Sequence, residues 1–137
     1  MKMNPEIPVF GNIDYRGDCH SETAEQATFV NQLRKRFPDS YGATVVHIRN
    51  EGKRNYAQTA RYKAEGLTPG AADIIIPGNP TFVCEMKRLD HSKSRWQEGQ
   101  QEYLLAAKRQ GAFVCVALGA VGAIHAFEEW VRCTTAT

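Results

Sequence analysis

The first regular pattern of apolar positions along the chain is helical. Its members stand three or four residues apart, as one face of a helix requires; they are Phe29, Val30, Leu33 and Phe37. Ser21 is a residue type that caps helices, and Glu22 and Glu25 provide the acidic first turn that a helix N-terminus favours. Pro38 ends the element. The pattern predicts a helix that begins at Ser21 and places Glu22 at the edge of its buried face.

Apolar runs and chain breakers predict the remaining elements. In chain order these are a strand over 43–48, a short helix over 56–65, strands over 73–76 and 81–87, a long helix over 92–110, a strand over 112–118 and a last helix over 126–133. Residues 1–20 hold two prolines and two glycines with little periodicity, which predicts an irregular arm. Residues 21–137 are then one domain in the order αβ(α)ββαβα. The fold class is α/β, with a central mixed sheet flanked by helices.

Composition narrows the picture only slightly. The 137 residues suit one domain, and a net charge of +2 is too small to argue for nucleic acid by itself. The four cysteines are far apart and contain no C-x-x-C pair, so no zinc site or secreted disulfide framework is indicated. No apolar stretch reaches the ~20 residues that a bilayer requires. We expect a soluble, cytoplasmic protein with no membrane partner.

The hairpin over 73–87 holds the most informative residues. Side chains alternate along a strand, so Val83, Glu85 and Lys87 share one face. Charges on a strand this central are costly unless they are paired or bound to metal. If the turn is centred on Gly78 and Asn79, Asp73 lies opposite about residue 84, one step from Glu85. Asp73 and the Glu-x-Lys motif of the next strand are therefore predicted to lie close together on the hairpin.

This convergence suits phosphodiester hydrolysis. Two carboxylates, Asp73 and Glu85, can hold Mg²⁺ or Mn²⁺, with the backbone carbonyl of Met86 as a further ligand. The lysine ammonium of Lys87 can orient the attacking water or neutralise charge that develops on the phosphate. The alternative is a Glu–Lys surface pair on an edge strand, with Asp73 as an ordinary strand-start residue.

Two further polar residues help to distinguish a metal site from a surface ion pair. Gln100 belongs to a helical stripe that contains both large aromatics of the predicted long helix, Trp96 and Tyr103, and should point inward. It could instead be a core glutamine bonded only to backbone, and a one-residue shift would select Gln97 or Gln101. Glu22 could supply a metal ligand or a water-orienting base, or simply interact with the helix dipole.

At these residues the sequence resembles the VRR-NUC family, a branch of the PD-(D/E)XK nuclease superfamily with a restriction-endonuclease-like core. The resemblance covers about Ser21 to Trp130. Its segments, in order, are Glu22 and Gln26 as E-x-x-x-Q, I-R-N-E-G-K-R over 48–54, K-A-E-G-L-T-P-G-A-A-D-I over 63–74, E-M-K-R over 85–88, and Gln100 at the expected distance from Gly111. Several segments in the right order are more specific than any one motif.

The resemblance implies a role for each of these residues. Asp73 and Glu85 would be metal ligands, Lys87 the catalytic lysine and Gln100 the glutamine that supports the site. Glu22 would be the auxiliary acid and metal ligand from the first helix, with Glu25 as the fallback. The predicted DNA interface consists of Asn50, Lys53, Arg54 and Arg88. One departure is visible, because the family usually has proline before the aspartate and this chain has Ala72.

Proteins of this family and length are similar to phage or bacterial homodimers that act on branched DNA, including four-way (Holliday) junctions. The resemblance thus implies an Mg²⁺- or Mn²⁺-dependent endodeoxyribonuclease in a bacterial or phage-infected cell. A symmetric dimer suits a two-fold symmetric junction. Three alternatives stay open: a restriction-type or nicking nuclease, a nucleic-acid-binding module of the same fold without catalysis, and a small-molecule enzyme that uses a carboxylate-bound metal.

Overall fold

A computed structural model describes residues 1–48 and 56–135. Within these ranges, one mixed sheet contains β1 (Val9–Phe10), β2 (Val46–His47), β3 (Ile74–Ile76), β4 (Phe82–Lys87) and β5 (Phe113–Leu118). The spatial order is β1-β5-β4-β3-β2. The pairs β1–β5 and β5–β4 are parallel, whereas β4–β3 and β3–β2 are antiparallel. The predicted central mixed sheet is therefore confirmed.

The helices are α1 (Glu22–Arg36), α2 (Tyr41–Thr44), α3 (Tyr56–Ala64), α4 (Gln100–Arg109) and α5 (Gly119–Thr135), with a short 3-10 turn at His91–Lys93. The predicted start of α1 is confirmed, because the Ser21 hydroxyl accepts a hydrogen bond from the Ala24 amide at 3.1 Å. The short helix α3 also lies where the sequence predicts it, but it buries none of its side chains. It is therefore a surface helix.

One face of the sheet packs against α1 and α5 through an aromatic core. Phe82 on β4 stacks near Phe113 on β5 with ring centroids 5.9 Å apart. Phe29 of α1 meets Phe127 of α5 edge to face at 6.4 Å. Such aromatic pairs bury large areas and add specific contact geometry. This core anchors both ends of β4, the strand that holds Glu85 and Lys87.

The opposite face packs against α4 and the start of the chain. Leu104 of α4 and Val83 of β4 are buried there, together with Ile7, which is only 2% exposed. Val9 and Phe10 pair with Val116 and Ala117. The expected irregular arm over 1–20 is corrected at Val9 and Phe10 alone, since these two residues add an edge strand to the sheet. Two residues are too short a run to give a period-2 signal.

The predicted strand over 43–48 is mostly wrong. Ala43 and Thr44 belong to α2, and only Val46 and His47 pair with β3. Gly42 explains the difference, because its α-carbon packs directly against the backbone of α1 near Leu33 and Phe37. That close contact requires a tight turn where the β-branched composition favoured a strand.

The two C-terminal helix boundaries also differ from prediction. Helix α4 begins at Gln100 rather than at residue 92, because Gly99 adopts a φ of +86° that a continuous helix does not allow. Helix α5 begins at Gly119 rather than at residue 126. Its first turns consist of small residues, and Gly122 lies against the carbonyl of Phe10. Glycine there permits close packing. No helix in the described part of the chain combines the length and apolar character needed to cross a membrane.

Candidate active site

The hairpin of β3 and β4 places an aspartate opposite a glutamate. Ile74 pairs with Cys84 and Ile76 with Phe82, so continuing the ladder by one residue sets Asp73 opposite Glu85. The turn position assumed from sequence predicts residue 84 opposite Asp73. The difference arises because five residues, 77–81, separate the strands instead of four. Residues opposite each other in an antiparallel pair point to the same face, so both carboxylates lie on one side of the sheet.

Asp73 is fixed by the backbone of the neighbouring strand. Its Oδ2 accepts a hydrogen bond from the Met86 amide at 2.9 Å. The N–H and C=O of one strand residue point the same way, so the Met86 carbonyl also faces the Asp73 side of β4. The three expected oxygen donors, two carboxylates and one carbonyl, therefore lie around the same strand end.

Glu85 is buried and only partly satisfied. Its side chain is 1% exposed, and Oε1 accepts a hydrogen bond from the Gln100 amide at 2.9 Å. Its Oε2 has no hydrogen-bond partner among the described residues. Burial raises the pKa of the Glu85 carboxyl well above its ordinary value, and the nearby Asp73 charge raises this pKa further, while Lys87 lowers it. The charge of Lys87 alone therefore does not offset the effects of burial and of Asp73 on the Glu85 carboxyl.

Lys87 is buried beside Glu85, also at 1% exposure. Its Nζ donates to the Arg95 carbonyl at 2.7 Å and to Gln100 Oε1 at 2.9 Å, and lies 3.9 Å from Glu85 Oε1. The same ammonium lies 5.7 Å from the ring centroid of Trp96. A buried ammonium with these partners is a fixed positive charge, so the surface-pair alternative for Glu85 and Lys87 does not describe the structure.

Gln100 joins these two charges. Its Nε2 donates to Glu85, while its Oε1 accepts from Lys87 and from the Gln97 amide at 2.8 Å. It therefore points inward as predicted, and it bonds two side chains rather than backbone alone. Gln101 instead accepts a hydrogen bond from Asn4 at 3.0 Å. Trp96 lies outside α4, so the predicted helical stripe holds only from Gln100 onward.

The structure separates the two acidic candidates on α1. Glu22 is half-buried, and its Oε2 accepts a hydrogen bond from the Ser94 hydroxyl at 2.9 Å. Glu25 Oε2 instead accepts a hydrogen bond from the Ala120 amide in the first turn of α5. Glu22, and not Glu25, faces the other site residues. Ser94 is the partner that the sequence analysis missed, since a serine in a polar stretch carries no signal of its own.

These residues border an open cleft of about 640 Å³. It is lined by Glu22, Thr59, Lys63, Leu67, Pro69, Gly70, Ala71, Asp73, Gln97, Glu98 and Gln100. Glu85 and Lys87 lie behind this surface. Lys63, an exposed residue near the end of α3, places a cation on a wall of a cleft that also contains three acidic side chains. The floor is tight, because a side chain at Gly70 would overlap the backbone of Gly99 and Gln100.

The donor set fits a hard divalent cation held with few protein ligands. Across residues 1–48 and 56–135, no three His, Cys, Asp or Glu side chains group closely enough to hold a metal ion. Glu22 therefore does not complete a three-carboxylate cluster with Asp73 and Glu85. Mg²⁺, however, usually keeps several waters and binds through one or two carboxylates. Asp73, Glu85 and the Met86 carbonyl meet that requirement, and the unpartnered Glu85 Oε2 is a vacant acceptor for it.

The predicted DNA interface is only partly described. Asn50, Lys53 and Arg54 lie outside the described residues. The Arg88 guanidinium donates to the carbonyls of Cys19 and His20 at 3.0 and 3.1 Å. These bonds hold the chain just before α1, so in the described structure Arg88 fixes the position of that helix.

Comparison with known proteins identifies the fold. No family model matches the chain, and no curated protein matches it. A solved structure described as a VRR_NUC domain protein superposes with a TM-score of 0.68 over 86% of this chain and 92% of that chain. The two sequences are 18% identical over the match, a level at which similarity establishes architecture rather than activity. The chain therefore has the fold of a VRR-NUC domain.

Proposed function

We propose that the protein is a metal-dependent endonuclease of the VRR-NUC family that hydrolyses phosphodiester bonds in DNA. The observation that carries the proposal is the group in which Asp73 faces the buried Glu85, while Gln100 joins Glu85 to the buried Lys87. A structural role alone does not require a buried carboxylate oxygen without a partner. A bound cation would supply Glu85 Oε2 with the partner that it lacks among the described residues.

Asp73, Glu85 and the Met86 carbonyl would hold Mg²⁺ or Mn²⁺. When bound, such an ion supplies Lewis-acid polarisation of the phosphate and a bound water of lowered pKa. The charge of the Lys87 ammonium lowers the pKa of Glu85 against the opposite effect of burial and Asp73, and Gln100 fixes the Glu85 carboxyl group in one orientation. Glu22, at the rim of the cleft, is placed to accept a proton from the attacking water.

The residues that line the cleft are consistent with DNA, an anionic polymer, as the substrate. The lining includes the acidic residues Glu22, Asp73 and Glu98, so a divalent cation would favour the approach of a phosphate, and Lys63 supplies further positive charge on the wall. We propose that Lys53, Arg54 and Asn50 extend this interface, and that Arg88 contributes indirectly through α1.

The proposed substrate is branched DNA, and the proposed assembly is a homodimer. The support is the sequence resemblance together with symmetry, since two equivalent sites related by a two-fold axis suit the two strands of a four-way junction. A linear duplex would be a poorer substrate for such a dimer. Molar mass in solution, measured by light scattering with and without junction DNA, tests the assembly independently of cleavage.

The central experiment compares a labelled four-way junction with a linear duplex of the same sequence. Wild type and Lys87→Ala are incubated with each DNA in Mg²⁺, in Mn²⁺ and in excess chelator. We expect metal-dependent cleavage of the junction by wild type and none by the variant. If wild type binds both DNAs but cuts neither with any divalent ion, a nucleic-acid-binding module becomes the better account. Preferential cutting of the duplex would instead favour a restriction-type or nicking nuclease.

A further inference from the structure

Ser94 joins two parts of the site that are distant in sequence. Its hydroxyl donates to Glu22 Oε2 at 2.9 Å and accepts a hydrogen bond from the Arg88 amide at 2.9 Å. Arg88 directly follows Lys87, so one hydroxyl connects the end of β4 to the first residue of α1. Ser94 is 9% exposed, and a hydroxyl with both donor and acceptor functions satisfied in this way has a fixed direction.

The chain around Ser94 is held in place for this contact. The Arg95 carbonyl, next to Ser94, accepts from Lys87 Nζ at 2.7 Å. The 3-10 turn before Ser94 is capped by Asp90, whose Oδ1 accepts from the Ser92 amide at 3.0 Å and whose Oδ2 accepts from the Gly17 amide at 3.0 Å. The connection from β4 to α4 therefore has two anchors, one on each side of Ser94.

We propose that Ser94 is a positioning residue for the reaction, and that it acts by holding the Glu22 carboxylate toward Asp73 and Gln100. Without the hydroxyl, Glu22 Oε2 would lose the hydrogen bond that it accepts from Ser94, its partner within the described residues, and the side chain could rotate away from the cleft. A carboxylate that must meet a water or an ion loses rate when its orientation is not fixed in advance. The inference rests on the proposed function, because it assigns Ser94 a part in that same site.

A double-mutant cycle tests the inference. The four proteins are wild type, Ser94→Ala, Glu22→Gln and the double variant, and each is measured by single-turnover cleavage of junction DNA and by thermal unfolding without DNA or metal. We expect Ser94→Ala to lower the cleavage rate on the order of tenfold with DNA affinity unchanged, and Glu22→Gln to lower it at least as much. The double variant should be no slower than Glu22→Gln, because Ser94 acts through Glu22.

The matched control is Ser92→Ala. Ser92 lies in the same turn, and its hydroxyl bonds Asp90 instead of Glu22. We expect it to cleave like wild type. Rate losses that multiply in the double variant, a Ser94→Ala protein as fast as wild type, or strictly additive changes in melting temperature for Ser94→Ala and Glu22→Gln would each overturn the inference. A wild type that cuts no DNA would overturn the proposed function itself, which is a distinguishable result.

Discussion

The side-chain oxygen of Gln100 accepts a hydrogen bond from the Lys87 ammonium at 2.9 Å. Because the same amide donates to Glu85 through Nε2, its orientation is fixed by two charges of opposite sign. Replacing Gln100 with alanine removes partners from a buried carboxylate and a buried ammonium at once. A buried group left without its partner typically costs about 1–3 kcal/mol.

We therefore expect Gln100→Ala to lower both the free energy of unfolding and the cleavage rate. Urea titration and single-turnover cleavage measure the two effects. Gln101→Ala is the control, since Gln101 bonds Asn4 on the neighbouring face of α4 and should leave cleavage intact. Equal cleavage by both variants would exclude Gln100 from the site.

Lys87→Met tests the charge of Lys87 separately from its packing. Methionine retains an apolar stem beside Trp96 but supplies no positive charge, so the pKa of Glu85 should rise further. We expect cleavage to fall by roughly 100-fold or more, the range seen when a single electrostatic contribution is removed from an active site. Circular dichroism should show an unchanged secondary structure. A variant that still cuts at the wild-type rate would show that the reaction does not use this charge.

Divalent cations should stabilise the protein in the absence of DNA. A cation beside Glu85 Oε2 relieves the repulsion between Glu85 and Asp73, so the melting temperature should rise with Mn²⁺ concentration. At about 100 times the dissociation constant the gain is about 2.7 kcal/mol. Asp73→Asn should remove this gain, and excess chelator should reverse it in wild type. A Mn²⁺ shift that persists in Asp73→Asn would place the ion elsewhere.

Lys63→Ala should weaken DNA binding without changing the fold. The residue is exposed and lines the cleft, so its loss removes about one phosphate contact, and the slope of log affinity against log salt should decrease in magnitude by about 1. Lys35→Ala is the control, because Lys35 lies near the far end of α1, about 20 Å along the helix from Glu22. Fluorescence anisotropy at several salt concentrations measures both. Identical slopes for the two variants would remove Lys63 from the interface.

Asp90 should make the attachment of the N-terminal segment sensitive to acid. Hydrogen bonds to the Asp90 carboxylate lower its pKa from 3.8 to about 2; the bond from the Ser92 hydroxyl has the largest effect, and the bond from the Gly17 amide the next largest. A carboxyl whose folded-state pKa is depressed stabilises the fold above its unfolded pKa, and this contribution disappears as the pH falls from about 4 toward 2. The difference in unfolding free energy between wild type and Asp90→Asn should therefore shrink over that interval. A constant difference from pH 6 to pH 2 would contradict the assignment.

Much of the fold could be predicted from sequence because its central elements carry strong local signals. Helix α1 has a cap, an acidic first turn and a regular apolar stripe, and β4 and β5 are apolar runs bounded by breakers. The predictions fail at element boundaries that tertiary contacts determine. Gly42 and Gly122 lie against neighbouring backbone, and Gly99 in the left-handed region delays the start of α4 by about two turns. None of these contacts is visible in a window of local sequence.

The residues of the candidate site also differ in how well the sequence predicts them. Charged or amide side chains on apolar stripes, together with the family resemblance, predict Asp73, Glu85, Lys87 and Gln100; the structure brings these four residues together, and their roles stay predictions. The choice between Glu22 and Glu25 could not be made from spacing, since it depends on the amide of Ala120 in α5, about a hundred residues later. The role of Ser94 could not be predicted either, because its two hydrogen-bond partners, Glu22 and Arg88, belong to separate parts of the chain.

The contact between Gly70 and Gly99 sets a dimension of the site without any side chain. Asp73 follows Gly70 by three residues and Gln100 follows Gly99 by one, so the separation of the carboxylate from the amide depends on two backbones that touch. A methyl group added at either glycine would overlap the facing backbone and push the two segments apart. The absence of a side chain at these two positions thus sets the width of the cleft floor, and a mutation there would change the distance between Asp73 and Gln100 while leaving both residues in place.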